Sequence, residues 1–124
     1  MEFQNINFPN DEINYIAPTW DEMNELCFLI GKQMREQGIK ADRIVTLAKG
    51  GWPMTRSLVD FTSVNSVASI GMKFYKPELG ERFEKPRVYQ DLPVSVEGEK
   101  VILFDDVADS GESLKYTKEY LLDR

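Results

Sequence analysis

The sequence predicts an α/β domain, a mostly parallel sheet flanked by helices, and three observations carry that prediction. Short apolar runs of strand character alternate with runs of helical periodicity at least three times along the chain. Two of the strand runs stop abruptly, one at Lys49-Gly50-Gly51 and one at Asp105-Asp106, and each leads through a short loop into a helical pattern. With 124 residues, the chain can build one core but not two, so residues 1–124 are expected to form a single domain.

Residues 1–18 mix amides, acids and scattered apolar groups, and Pro9 and Pro18 interrupt any long element. They read as an N-terminal arm with one short strand at 14–17. Thr19 then opens a helix, with Glu22 three residues on to complete a capping box. Met23, Leu26, Cys27, Ile30 and Met34 form its apolar stripe, and Gly38 stands where a left-handed C-cap belongs. Cys27 reads as core packing on that stripe, because no histidine exists to activate a thiolate.

Arg43 to Ala48 is a buried strand that ends at the Lys49-Gly50-Gly51 turn. Pro53 suits the first turn of the following helix, whose apolar face is Met54, Leu58, Val59 and Phe61. Ser66 to Tyr75 is the next strand. Lys76 to Pro86 is charged, bounded by prolines and without periodicity, which makes 76–86 a long flexible loop. A third strand is expected over 87–92, and a turn at 96–100 leads into Val101-Ile102-Leu103-Phe104. The final helix carries Leu114, Thr117, Leu121 and Leu122. A parallel sheet whose last element is a helix should lead on to another strand, so the sequence is expected to be C-terminally truncated relative to a complete fold.

Composition narrows the function. Hydrophobic residues at 42% and charged residues at 29% are ordinary for a soluble protein, and no apolar run approaches the ~20 residues that span a bilayer. The first ten residues lack the basic and apolar regions of a signal peptide, so a cytoplasmic location without membrane partners is expected. A formal charge of -6 argues against nucleic-acid binding, which needs a basic face. One cysteine and no histidine exclude the usual zinc sites, leaving a hard, oxygen-liganded metal as the expected kind.

The chemistry sits at the two loops. An apolar strand running into Asp105-Asp106, followed by Asp109, Ser110, Gly111, Glu112 and Ser113 before a helix, offers carboxylates for a sugar diol or a hydrated cation. It also offers hydroxyls and backbone amides for a phosphate. The plainer reading is an acidic loop capping a helix, with Asp109 or Ser110 as the N-cap; two acids at the end of an apolar strand weigh against it, since burying unpaired charge is expensive. For Lys49 and its glycines, taken alone, an ordinary strand-to-helix turn with a solvated lysine is the stronger reading.

Taken together, the loops resemble those of the type I phosphoribosyltransferases. Val101 to Leu114 is similar to the family signature of a hydrophobic strand, two acids, two small or apolar residues, then acid, hydroxyl, glycine and hydroxyl at fixed spacing. Asp109 resembles the purine-salvage branch, the xanthine-guanine and hypoxanthine-guanine enzymes. Ala48-Lys49-Gly50-Gly51 is similar to the family's pyrophosphate loop, often containing a non-proline cis peptide, and the 76–86 loop lies where the family has its mobile flap.

The resemblance implies transfer of a phosphoribosyl group from phosphoribosyl pyrophosphate to a 6-oxopurine base. Asp105 and Asp106 would hold the ribose hydroxyls, directly or through Mg2+, and would be the metal ligands. Ser110, Gly111, Glu112 and Ser113 would surround the 5-phosphate, while Ala48, Lys49 and Gly50 would face pyrophosphate. Asp109 would be the catalytic acid-base group beside the purine N7. The resemblance further implies a homodimer or homotetramer, with a base-recognition segment downstream of the phosphate loop. A noncatalytic module that binds phosphoribosyl pyrophosphate is the alternative reading.

Overall fold

The computed structural model describes residues 5–6, 14–75, 85–108 and 110–124. Two short strands come first, β1 (Asn5–Ile6) and β2 (Tyr15–Ile16), paired antiparallel. Then follow α1 (Trp20–Glu36), β3 (Arg43–Ala48), α2 (Trp52–Phe61), β4 (Ser66–Tyr75), β5 (Lys85–Gln90), β6 (Val101–Phe104) and α3 (Glu112–Leu122).

The main sheet has the order β5-β4-β3-β6. β3 pairs in parallel with both β4 and β6, while β5 returns antiparallel along β4, so the sheet is mixed with a parallel centre. The expected third strand exists but begins earlier than 87–92. Lys85 and Pro86, expected to end the long loop over 76–86, already lie in β5, and residues 76–84 are outside the described residues. The proline sits on an edge strand, where its missing N–H is tolerated.

β3 is central because both of its faces are covered. Ile44, Val45 and Thr46 are fully buried and Leu47 nearly so, the continuous apolar run expected of a parallel strand between two helical layers. On one face Ile44 and Phe104 pack with Cys27 of α1 and with Met54 and Leu58 of α2. On the other, Val45, Leu47 and Ile70 meet Leu114, Tyr120 and Leu121 of α3. Cys27 therefore sits in the core as expected. Its Sγ donates to the Met54 carbonyl at 3.4 Å, and burial pushes its pKa up.

Local signals set the helix ends. Thr19 Oγ1 accepts from the Glu22 amide at 3.1 Å and Glu22 returns the bond to the Thr19 amide at 3.0 Å, closing the capping box. At the other end Gly38 has φ +66°, and the amides of Gly38 and Ile39 donate to the carbonyls of Arg35 and Met34, a Schellman closure. The start of β3 is pinned to the turn before β6 by a two-pronged Arg43–Glu99 pair at 2.7 and 3.0 Å, which holds the Glu99 carboxyl below its usual range. The Lys100 amide also donates to Asp42 at 2.7 Å. These contacts set the register in which β3 and β6 end side by side. No helix among the described residues is long and apolar enough to cross a membrane.

Candidate functional site

Parallel strands present their carboxyl ends, and the loops leaving them, at one edge of the sheet. Thr46 is the register partner of Phe104, so β3 continues two residues to Ala48 while β6 passes directly into Asp105 and Asp106. The two loops that stood out in the sequence thus emerge as neighbours.

The β3 loop is tightly built. The Ala48–Lys49 peptide is cis. The Gly51 amide donates to the Leu47 carbonyl at 2.9 Å, and the Trp52 amide donates to the Lys49 carbonyl at 3.2 Å. The Gly51 carbonyl in turn accepts from the Thr55 amide at 3.0 Å and from Thr55 Oγ1 at 2.7 Å. Gly51 has φ -72°, a conformation open to any residue, so torsion does not explain the glycine. Space does: a Cβ there would overlap Thr46 Oγ1 and lie 2.9 Å from the Leu47 carbonyl oxygen. Lys49 is exposed and has no ion-pair partner among the described residues.

Gly50 makes the connection to the second loop. A Cβ on Gly50 would lie 2.9 Å from Asp106 Oδ2 and 3.0 Å from Oδ1, so the Asp106 carboxylate rests directly against the Gly50 backbone. Asp105 and Asp106 leave the end of β6 together, and their carboxyls stay within hydrogen-bonding reach of each other. Asp105 is half-buried and its Oδ1 accepts from the Asp106 amide at 2.9 Å, whereas Asp106 is exposed. Burial, with a further contribution from hydrogen bonding to the Asp106 carboxyl, pushes the Asp105 pKa from 3.8 up to about 6.

The approach to α3 differs from the expected cap. The N-cap position is Gly111 at φ +82°, which has no side chain to bond to the helix, and not Ser110. Ser110 Oγ accepts only a long bond, 3.4 Å, from the Glu112 amide. Apart from that long bond, the first turn of α3 presents amides that no side chain caps among the described residues. Ser113 is half-buried and its carbonyl accepts from Thr117 Oγ1 at 2.6 Å; Glu112 is exposed. Asp109 lies outside the described residues.

The structure thus brings Ala48, Lys49, Gly50, Asp105 and Asp106 to one edge, with Ser110, Gly111, Glu112 and Ser113 leading from it into α3. Among the described residues no group of three or more carboxylate, thiol or imidazole side chains forms a metal cage. That donor set suits Mg2+, which keeps several waters and takes one or two carboxylates plus substrate phosphates. A concavity of about 780 Å³ lies elsewhere, between β6 and α3, lined by Val96, Val101, Leu103, Leu114 and Leu121. Apart from Leu114 in the first turn of α3, no described residue of either loop lines it. Thr46, beneath the turn, is not among the residues that the sequence alone singles out. A threonine inside the apolar run Ile44-Val45-Thr46-Leu47 was the available signal.

The phosphoribosyl transferase domain model matches residues 19–124. Among curated proteins, the chain is 23% identical over 103 residues to the Bifunctional protein PyrR of Pseudomonas fluorescens, covering 82% of this chain and 61% of that protein. It is 24% identical over 109 residues to the xanthine-guanine phosphoribosyltransferase of Gluconobacter oxydans, covering 88% and 64%. Among solved structures, the purine phosphoribosyltransferase of Pyrococcus horikoshii superposes with a TM-score of 0.69 at 28% identity, over 85% of this chain and 66% of that one. A hypothetical protein from Neisseria gonorrhoeae with bound ppGpp gives a TM-score of 0.76 at 22% identity, covering 86% and 62%. The chain spans about three fifths of the length of the curated relatives it matches.

Proposed function

The chain belongs to the phosphoribosyl transferase domain family, and on that premise we propose that it transfers the phosphoribosyl group of phosphoribosyl pyrophosphate to a 6-oxopurine base, releasing pyrophosphate. One observation carries the reading: the Gly50 backbone and the Asp106 carboxylate touch across the gap between two loops that end neighbouring parallel strands. A pyrophosphoryl sugar needs such a juxtaposition, since its diol and its diphosphate flank one anomeric carbon.

In this proposal a nitrogen of the base attacks the anomeric carbon as the bond from that carbon to pyrophosphate oxygen breaks, and the electron pair leaves with pyrophosphate. Lys49 and the Gly50 backbone face the leaving group and answer its growing negative charge. The carboxylates of Asp105 and Asp106 hold the ribose hydroxyls and favour the cationic character that develops on the sugar. The first turn of α3, with Ser110, Gly111 and Ser113, receives the 5-phosphate, and Glu112 beside it is exposed. Asp109 takes the role of proton acceptor beside the purine N7. Mg2+ held by Asp105 and Asp106 would neutralise phosphate charge when bound.

The test is a product assay with the sugar donor, Mg2+ and a panel of guanine, xanthine, hypoxanthine, adenine, uracil and orotate. A nucleotide from at least one 6-oxopurine is expected, and Asp109→Asn should lower turnover far more than donor binding. Absence of nucleotide from every 6-oxopurine overturns the transfer reading. Donor binding without turnover on any base selects the second reading, a phosphoribosyl pyrophosphate-binding regulatory module. A cytoplasmic homodimer or homotetramer belongs to the same proposal and is checked by fractionation and by light scattering.

A further inference from the structure

Thr46 lies in the middle of β3, fully buried, and its hydroxyl has no hydrogen-bond partner among the described residues. Buried hydroxyls are normally paired, and an unpaired one disfavours the fold relative to a methyl of the same shape. Such local conflicts with good packing concentrate where a structure serves a site. The surroundings of Thr46 show which one. Strand alternation puts it on the α1 and α2 face with Ile44, and its Oγ1 packs against Gly51, where a side chain at 51 would have to go.

Three hydrogen bonds hold the Gly51 peptide groups, one to the Leu47 carbonyl and two from Thr55. Those bonds leave the height of the turn over the sheet to be set by what lies beneath it, and that is Thr46 Oγ1. An oxygen permits a Cα–H approach of about 3.3–3.6 Å; a methyl carbon prefers about 3.5–4.0 Å and would lift the turn. Gly50, the next residue back, is the one in contact with Asp106.

We propose that Thr46 is a positioning residue: its hydroxyl seats Gly51, and through Gly51 it sets the placement of Lys49 and Gly50 against Asp106. The functional consequence rests on the reading of this turn as the pyrophosphate side of the site; the seating itself does not. Thr46→Val replaces the hydroxyl by a methyl, and Thr46→Ser keeps the hydroxyl while dropping the methyl. Amide hydrogen exchange is read at Gly51 and Trp52 in the ligand-free chain, with thermal midpoints and calorimetric affinity for magnesium pyrophosphate on the same samples.

For Thr46→Val we expect exchange at Gly51 and Trp52 to be about tenfold faster with a midpoint equal to or above wild type. Magnesium pyrophosphate should bind about tenfold more weakly, as a sub-ångström misplacement of a binding group predicts. Thr46→Ser should restore both local values even where its midpoint falls. Unchanged exchange in Thr46→Val overturns the inference, and so does faster exchange spread over the β3–β4 ladder with a lowered midpoint, which is a packing defect. Failure of the wild-type chain to bind magnesium pyrophosphate overturns the phosphoribosyl reading, while the exchange measurement still decides the role of Thr46.

Discussion

The two loops at the carboxyl end of the sheet are built on opposite plans. The Ala48–Gly51 turn is braced from within the fold: the Gly51 amide donates to Leu47, the Lys49 carbonyl accepts from the Trp52 amide, the Gly51 carbonyl accepts from Thr55, and Thr46 fills the space beneath it. Among its described residues the Asp105–Gly111 loop has one short side-chain bond, from the Asp106 amide to Asp105, one long bond to Ser110 from the Glu112 amide, and a left-handed glycine at the helix start. The first loop has its shape fixed by these bonds, with the Lys49 side chain and the Gly50 backbone left exposed. The second leaves donors and carboxylates to be satisfied by something else, which is how a site divides rigidity from recognition.

The largest effect should come from breaking the closed loop. Gly51→Ala puts a Cβ onto Thr46 Oγ1 and 2.9 Å from a backbone carbonyl that cannot swing away, so it should destabilise the chain by about 3 kcal/mol, the upper range of overpacking. Urea unfolding measures this directly. Combining it with Thr46→Ala should recover part of the loss, because one of the two obstructions is removed; strict additivity would mean that they do not touch.

Gly111→Ala tests the open loop and should cost less. Nothing lies within 4 Å of the added Cβ, so only the torsion at φ +82° opposes it, about 1–2 kcal/mol. Binding of the sugar donor should suffer in proportion if the first amides of α3 receive the 5-phosphate. A stability loss equal to that of Gly51→Ala would erase the distinction between the two loops.

How the loops differ was only partly legible in the sequence. Signals confined to a few neighbouring residues were readable: the Thr19–Glu22 box, Gly38, the strand 43–48 and the strand-loop-helix order at both loops. The cis Ala48–Lys49 peptide followed from the family resemblance and not from the residues themselves. Signals that depend on what lies across space were not readable. Gly50 and Gly51 could equally have answered a torsional need, and only the positions of Asp106 and Thr46 show that close approach requires them. The helix cap falls on Gly111 and not on Ser110, because the chain enters α3 through a left-handed residue. The antiparallel return of β5, and its start at Lys85, depend on pairing with β4.

Asp105 gives a pH-dependent comparison of smaller size. Its carboxyl is pushed from 3.8 up to about 6, so the stability it contributes is present below about pH 4 and is lost as pH rises through 6. The shift corresponds to about 3 kcal/mol at face value, which partial exposure reduces to about 1 kcal/mol. In metal-free buffer Asp105→Asn keeps the acceptor for the Asp106 amide and removes the charge. It should therefore raise stability by about 1 kcal/mol at pH 7.5, with the gap closing toward pH 4. A gap that does not change with pH would mean that the carboxylate is not disfavoured where it sits.

Gly50→Ala should have the smallest effect on the fold and is the most pointed contrast with its neighbour. The three atoms nearest its added Cβ all belong to the Asp106 carboxylate, at 2.9–3.1 Å, and that group is exposed and can rotate aside. Unfolding free energy should change by no more than about 0.5 kcal/mol, as for other surface substitutions. The displaced carboxylate is, however, the one proposed to hold the ribose and the cation, so affinity for the sugar donor with Mg2+ should fall about tenfold or more. Two adjacent glycines would then be separated by function: one required by the fold beneath it, the other by the ligand in front of it. Equal losses of stability at the two positions, or unchanged donor affinity in Gly50→Ala, would show that the contact between the loops is packing alone.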